Sequence, residues 1–138
     1  MNATDPNLKQ FMGHSGKLLL YHGWSDQLIT PLNSIGYFKS VVDTMGGASK
    51  TTDFARLFLV PGMGHCGGGE GPTVFDAVGA LEQWVEKGKA PEQMIASHLT
   101  SGTADRTRPL CPYPQVAVWK GTGSTDVAAS FVCGLEKQ

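Results

Sequence analysis

Arg56-Leu57-Phe58-Leu59-Val60-Pro61-Gly62-Met63-Gly64-His65-Cys66 is the stretch on which the fold turns. Four apolar residues run together without polar alternation, and Pro61-Gly62 stops them. Such a run is what a parallel-sheet strand buried on both faces looks like. A glycine-rich loop follows, through Gly69, and sets a histidine and a cysteine side by side. Upstream lies a twin: Lys17-Leu18-Leu19-Leu20-Tyr21-His22 ends at Gly23 and gives way to a loop from Trp24 to Thr30.

Between the twins the pattern changes period. Thr30-Pro31 is a helix start, with Thr as N-cap and Pro at the first helical position. Leu32, Ile35, Phe38, Val42 and Met45 then recur at three- and four-residue spacing, as on an amphipathic helix, and Gly46-Gly47 ends it. Beyond the glycine-rich loop, Thr73 and Asp76 resemble a capping box. Val74, Val78, Leu81 and Val85 predict a second helix closed by Lys87-Gly88, and Met94 to Leu99 a third strand. Strand, helix, strand, helix, strand implies right-handed βαβ units and a parallel sheet.

The flanks read differently. Residues 1–16 are polar, broken by Pro6, Gly13 and Gly16, and predict an irregular lead-in. Residues 17–100 carry the α/β core. Residues 101–138 predict an irregular tail, with Pro109, Pro112 and Pro114 around Cys111, a short strand at Val116–Trp119, and Phe131-Val132-Cys133 closing the ordered part. A Cys111–Cys133 bridge would close a loop of about twenty residues, which the loop-entropy model values at roughly 3 kcal/mol. In a reducing compartment the three cysteines are simply thiols. In an oxidising one the odd count leaves Cys66 needing a partner outside the chain.

Composition removes several classes of function. Eleven Lys and Arg stand against 12 Asp and Glu with no basic run, which argues against nucleic acid or an anionic membrane as main partner. No apolar stretch is long enough to span a bilayer, and no charged and apolar leader of signal-peptide type follows Met1. The glycines of 62–71 lack the Lys-Ser/Thr of a phosphate cradle. His14, His22, His65 and His98 are scattered, so neither a metal nor a cofactor site is expected.

Chemistry gathers at the carboxyl ends of parallel strands. Asp26 follows the first strand and His65 the second, so both loops belong at one rim. A carboxylate there could orient an imidazole, which could then take a proton from a serine hydroxyl. From the residues alone two readings stand. Asp26 is either the orienting carboxylate or an ordinary turn residue, and His65 is either a base or an exposed loop histidine.

Four stretches shift that balance: KLLLYHGWSDQLITP (17–31), LVPGMGHCGGGEGP (59–72), AVGALEQWVEKGKAP (77–91) and RTRPLCPYP (106–114). Together they resemble the C-terminal end of the tannase and feruloyl esterase family. The third is generic amphipathic helix; the others are specific. The resemblance implies an α/β-hydrolase core with a Ser–Asp–His triad, in which Asp26 matches the aspartate and His65 the histidine. It implies that Cys66 pairs with the cysteine preceding the serine, and that Cys111 and Cys133 are the late structural pair. It also implies a secreted or periplasmic enzyme acting on small aromatic esters. The family's lid domain, which binds the substrate's aromatic acid and often a structural calcium, has no counterpart in these residues.

No Gly-x-Ser-x-Gly occurs in the 138 residues. Gly23-Trp24-Ser25-Asp26-Gln27 lacks the final glycine, which makes Ser25 a poor nucleophile candidate. The expectation is therefore the C-terminal portion of an α/β-hydrolase, supplying Asp and His but not Ser and inactive alone. The alternative is a non-catalytic domain that assembles with a partner chain, or self-associates through an open sheet edge.

Overall fold

The computed structural model describes residues 3–65 and 67–136. Its centre is one βαβ unit. Strand β1 (Leu18–Gly23) and strand β2 (Ala55–Val60) pair in parallel, with Leu18 opposite Ala55 and Gly23 opposite Val60. Helix α2 (Pro31–Met45) crosses between them. It starts as the sequence predicts: the Leu32 N–H donates to Thr30 Oγ1 at 3.4 Å, and Pro31 needs no donor partner at the first position. It ends at Gly46, whose φ of 93° is left-handed.

Residues alternate along β2 between two cores. Ala55 and Leu57 pack against Ile35, Phe38, Val41 and Met45 of α2. Phe58 and Val60 face the other way, against Met63, Met94, Ala96 and Leu110. Leu18 and Leu20 of β1 join the first cluster and Leu19 the second. The strand pair is thus the middle layer of three.

Several expectations are corrected. The lead-in is not wholly irregular: α1 (Lys9–Gly13) is one short helical turn, and α3 (Ala48–Thr52) is another in the polar connection after α2. Strand β1 is not buried on both faces. Tyr21 is 49% exposed, and β1 pairs on its outer edge with no described strand.

Helix α4 (Ala77–Lys87) begins at Ala77, with Asp76 as N-cap accepting from the Gly79 N–H at 2.7 Å. Val74 is held outside the helix because it exchanges two backbone hydrogen bonds with Ser97. Nor does the valine stripe face the core: Val78 and Val85 are exposed, while Ala77, Ala80 and the buried Trp84 turn inward. Trp84 lies beneath the Arg56 guanidinium and the Lys17 ammonium, at 5.6 and 5.5 Å.

The third strand, β3 (Met94–Thr100), is not parallel. It forms an antiparallel hairpin with β4 (Thr103–Leu110), so the hairpin crosses the expected boundary at position 100. Two turn residues explain the change. Ser101 and Gly102 both have positive φ, the geometry of a tight hairpin, and a parallel crossover needs a dozen residues or more. The tail is likewise ordered: β5 (Val116–Trp119) pairs antiparallel with β6 (Phe131–Gly134). The Cys111–Cys133 disulfide ties the end of β4 to β6. The described parallel sheet therefore has two strands, flanked by two separate hairpins.

Candidate active site

Strand register brings the two loops together. Because Gly23 lies opposite Val60, the chain leaves β1 and β2 at the same rim. The loops then bond directly: Trp24 N–H to Val60 O at 2.9 Å, and Ser25 N–H to Met63 O at 3.0 Å. Residue 23 must be glycine for this approach, since a Cβ there would collide with the carbonyl oxygens of Met63 and Gly64. Gly62, at φ 73°, turns the second loop back. Met63, 2% exposed, anchors that loop in the core just ahead of His65.

The Asp26 carboxylate is 1% exposed and uses both oxygens. Oδ1 accepts from the backbone N–H groups of Leu28 at 2.8 Å and Ile29 at 2.9 Å. Oδ2 lies 2.9 Å from His65 Nδ1 and 3.0 Å from His22 Nε2. The turn bonds on Oδ1 aim Oδ2 at the two imidazoles. These bonds, the Ile29 N–H foremost, hold the carboxyl far below its usual pKa against the opposing effect of burial.

Hydrogen positions follow from the partners. A carboxylate oxygen only accepts, so His65 Nδ1 carries the proton and Nε2 is left with its lone pair. Among the described residues nothing hydrogen-bonds that Nε2, and the His65 side chain is 42% exposed. His22 Nε2 faces two acceptors, Asp26 Oδ2 and Ile29 O, each at 3.0 Å, so it too bears a hydrogen. Its Nδ1, 2.7 Å from Ser34 Oγ, is then free to accept the Ser34 hydroxyl proton. His22 and Ser34 are not among the residues that the sequence marks as site candidates. Their signal was the four-residue spacing of His22 and Asp26 across the strand end.

Ser25 makes its bond to the neighbouring loop through its backbone, and no described serine hydroxyl hydrogen-bonds His65. Cys66 lies outside the described residues. No three His, Cys, Asp or Glu side chains cluster as metal ligands among the described residues.

The mixed α/β frame that carries these two strand-end loops is shared with solved esterase and tannase structures, which places the chain in that class of fold. Within it the chain belongs to the tannase and feruloyl esterase family, whose model matches residues 1–134. It is 47% identical to a mono(2-hydroxyethyl) terephthalate hydrolase of Piscinibacter sakaiensis, over 95% of this chain and 22% of that protein. It is 44% identical to a probable feruloyl esterase of Arthroderma benhamiae, over 97% of this chain and 26% of that protein. The crystal structure of feruloyl esterase B from Aspergillus oryzae superposes with a TM-score of 0.89 at 31% identity, covering 94% of this chain and 29% of that one. The chain thus spans about a quarter of the length of these relatives.

Proposed function

We propose that Asp26 and His65 are the orienting acid and general base of a serine carboxylesterase acting on aromatic esters. The carrying observation is the 2.9 Å contact between Asp26 Oδ2, 1% exposed, and His65 Nδ1, with Nε2 unbonded among the described residues. In this reading Nε2 takes the proton of a serine hydroxyl as that oxygen attacks the ester carbonyl. His65 then returns the proton to the departing alcohol, and the resulting acyl-enzyme is hydrolysed through the same base. Asp26 keeps its charge and stabilises the imidazolium. These proton transfers call on no cofactor.

The serine and its oxyanion-hole amides come from outside the 138 residues, as the lack of a Gly-x-Ser-x-Gly turn indicates. The aromatic ester class rests on the names of the relatives. We assign Cys66 the role of bridging to a cysteine beside that serine, tying base and nucleophile in register. The Cys111–Cys133 disulfide supports an oxidising location, secreted or periplasmic.

The test is hydrolysis of methyl ferulate and methyl gallate, with serine-directed fluorophosphonate labelling. The 138-residue chain is expected to hydrolyse neither ester and to take up no label. In the polypeptide that includes the serine, His65→Ala should abolish turnover. Turnover by the isolated chain would overturn the half-site reading. Full turnover by His65→Ala in the complete polypeptide would overturn the base assignment.

A second reading draws on the outer edge of β1, which no described strand covers. The chain could self-associate, or take a partner chain, through that edge without catalysis. Sedimentation velocity separates the two, because a concentration-independent monomer speaks against edge pairing.

A further inference from the structure

Beside the stems of the His65 loop lies a cavity of about 410 Å³ that the acid–base pair does not use. Arg106, Arg108 and Leu110 line it together, as alternate residues on one face of β4 should. Pro72, Val116 and Phe131 give it apolar and aromatic walls. Two arginines two residues apart therefore line one largely apolar recess.

Their charge is not neutralised locally. Among the described residues, no carboxylate comes within ion-pair distance of Arg106 or Arg108. Glu70 stands on the cavity wall but pairs with neither. Among the described residues Arg108 Nη1 is sealed from solvent with no hydrogen-bond partner, an arrangement that costs free energy unless a counter-charge is near. Burial, and then the charge of Arg106, push the Arg108 pKa down; the charge of Asp126 opposes them without a direct ion pair. The guanidinium is nonetheless held firmly, stacked 3.9 Å above the Phe131 ring. A fixed planar cation in an apolar wall suits a carboxylate borne on a flat apolar body.

We infer that the Arg106–Arg108 recess is a binding site for a small aromatic carboxylate, separate from the Asp26–His65 pair. The carboxylate would engage the guanidinium N–H groups that face the cavity, since Nη1 is enclosed. The aromatic body would lie against Phe131, Val116 and Pro72. This site needs neither the serine nor catalysis, so it stands or falls apart from the esterase reading.

Titration calorimetry of the full polypeptide tests it, with benzoate as probe and benzyl alcohol as its uncharged counterpart. Saturable benzoate binding is expected, with no binding of benzyl alcohol at the same concentrations. Arg108→Gln and, independently, Arg106→Gln should each weaken benzoate about tenfold, as loss of one charge-assisted hydrogen bond does. Arg108→Lys should weaken it less, and His65→Ala should leave it unchanged. Circular dichroism confirms that each variant is folded; if Arg108→Gln unfolds, Arg106→Gln carries the test. Absent benzoate binding, equal affinity in a folded glutamine variant, or loss on His65→Ala would overturn the assignment.

Discussion

His22 Nε2 stands 3.0 Å from the same Asp26 oxygen that meets His65 Nδ1 at 2.9 Å. One carboxylate oxygen serves two imidazole donors while its twin serves two backbone N–H groups. A carboxylate has about four acceptor positions, and all are filled here. An amide at this position has a single acceptor oxygen, so its NH₂ would have to face either the two turn amides or the two imidazole N–H groups.

Asp26→Asn should for that reason be more damaging than its shape suggests. In the polypeptide that includes the nucleophile, kcat for an aromatic ester should fall by a factor on the order of ten thousand, with KM little changed. Steady-state kinetics on methyl ferulate checks this, and a loss confined to KM would refute the orienting role.

Acid should loosen the protein through the same residue. The Asp26 carboxyl has a folded pKa below its unfolded value of about 3.9. Its contribution is therefore complete above about pH 4 and is lost as the pH falls towards the folded pKa. Urea midpoints should drop below pH 4 in the wild type and change less over that window in Asp26→Asn.

Gly23→Ala places a methyl group against the carbonyl oxygens of Met63 and Gly64. The loops must part or the strands shift, at about 1–3 kcal/mol of stability. The Asp26–His65 contact should loosen with them. Chemical denaturation gives the first quantity, and the His65 Nδ1–H resonance in proton NMR reports the second.

Cys133→Ser removes the tie between β4 and β6 and should lower stability by about 2–5 kcal/mol. Dithiothreitol should reproduce the loss in the wild type and have far less effect on the variant.

The parts of the fold that could be read from the chain are those where one period dominates. Leu57 to Val60 run apolar without a break, and Ile35, Phe38 and Met45 keep helical spacing, so β2 and α2 lie close to where the pattern puts them. Strand β4 was illegible because Arg106 and Arg108 occupy inward-facing positions that apolar residues would normally mark, and Pro109 interrupts the run. Helix α4 misled for the opposite reason. Its valines form a regular stripe, but small Ala77 and Ala80 allow closer approach to the sheet, and Trp84 takes the buried place. Asp26 and His65 were visible from their places after two strands. His22 was not, because a histidine inside an apolar run reads as core until its neighbour's free oxygen is known.

The Cys111–Cys133 bridge also decides what a protease would leave behind. Residues 119–127 are exposed from end to end and lie inside the covalent ring that the bridge closes. A single cut there yields two peptides that still migrate as one molecule on a gel without reductant, and separate only once the sulfurs are reduced. A nick in this arch would change the apparent mass only under reducing conditions, and β5 and β6 would stay side by side through the cut.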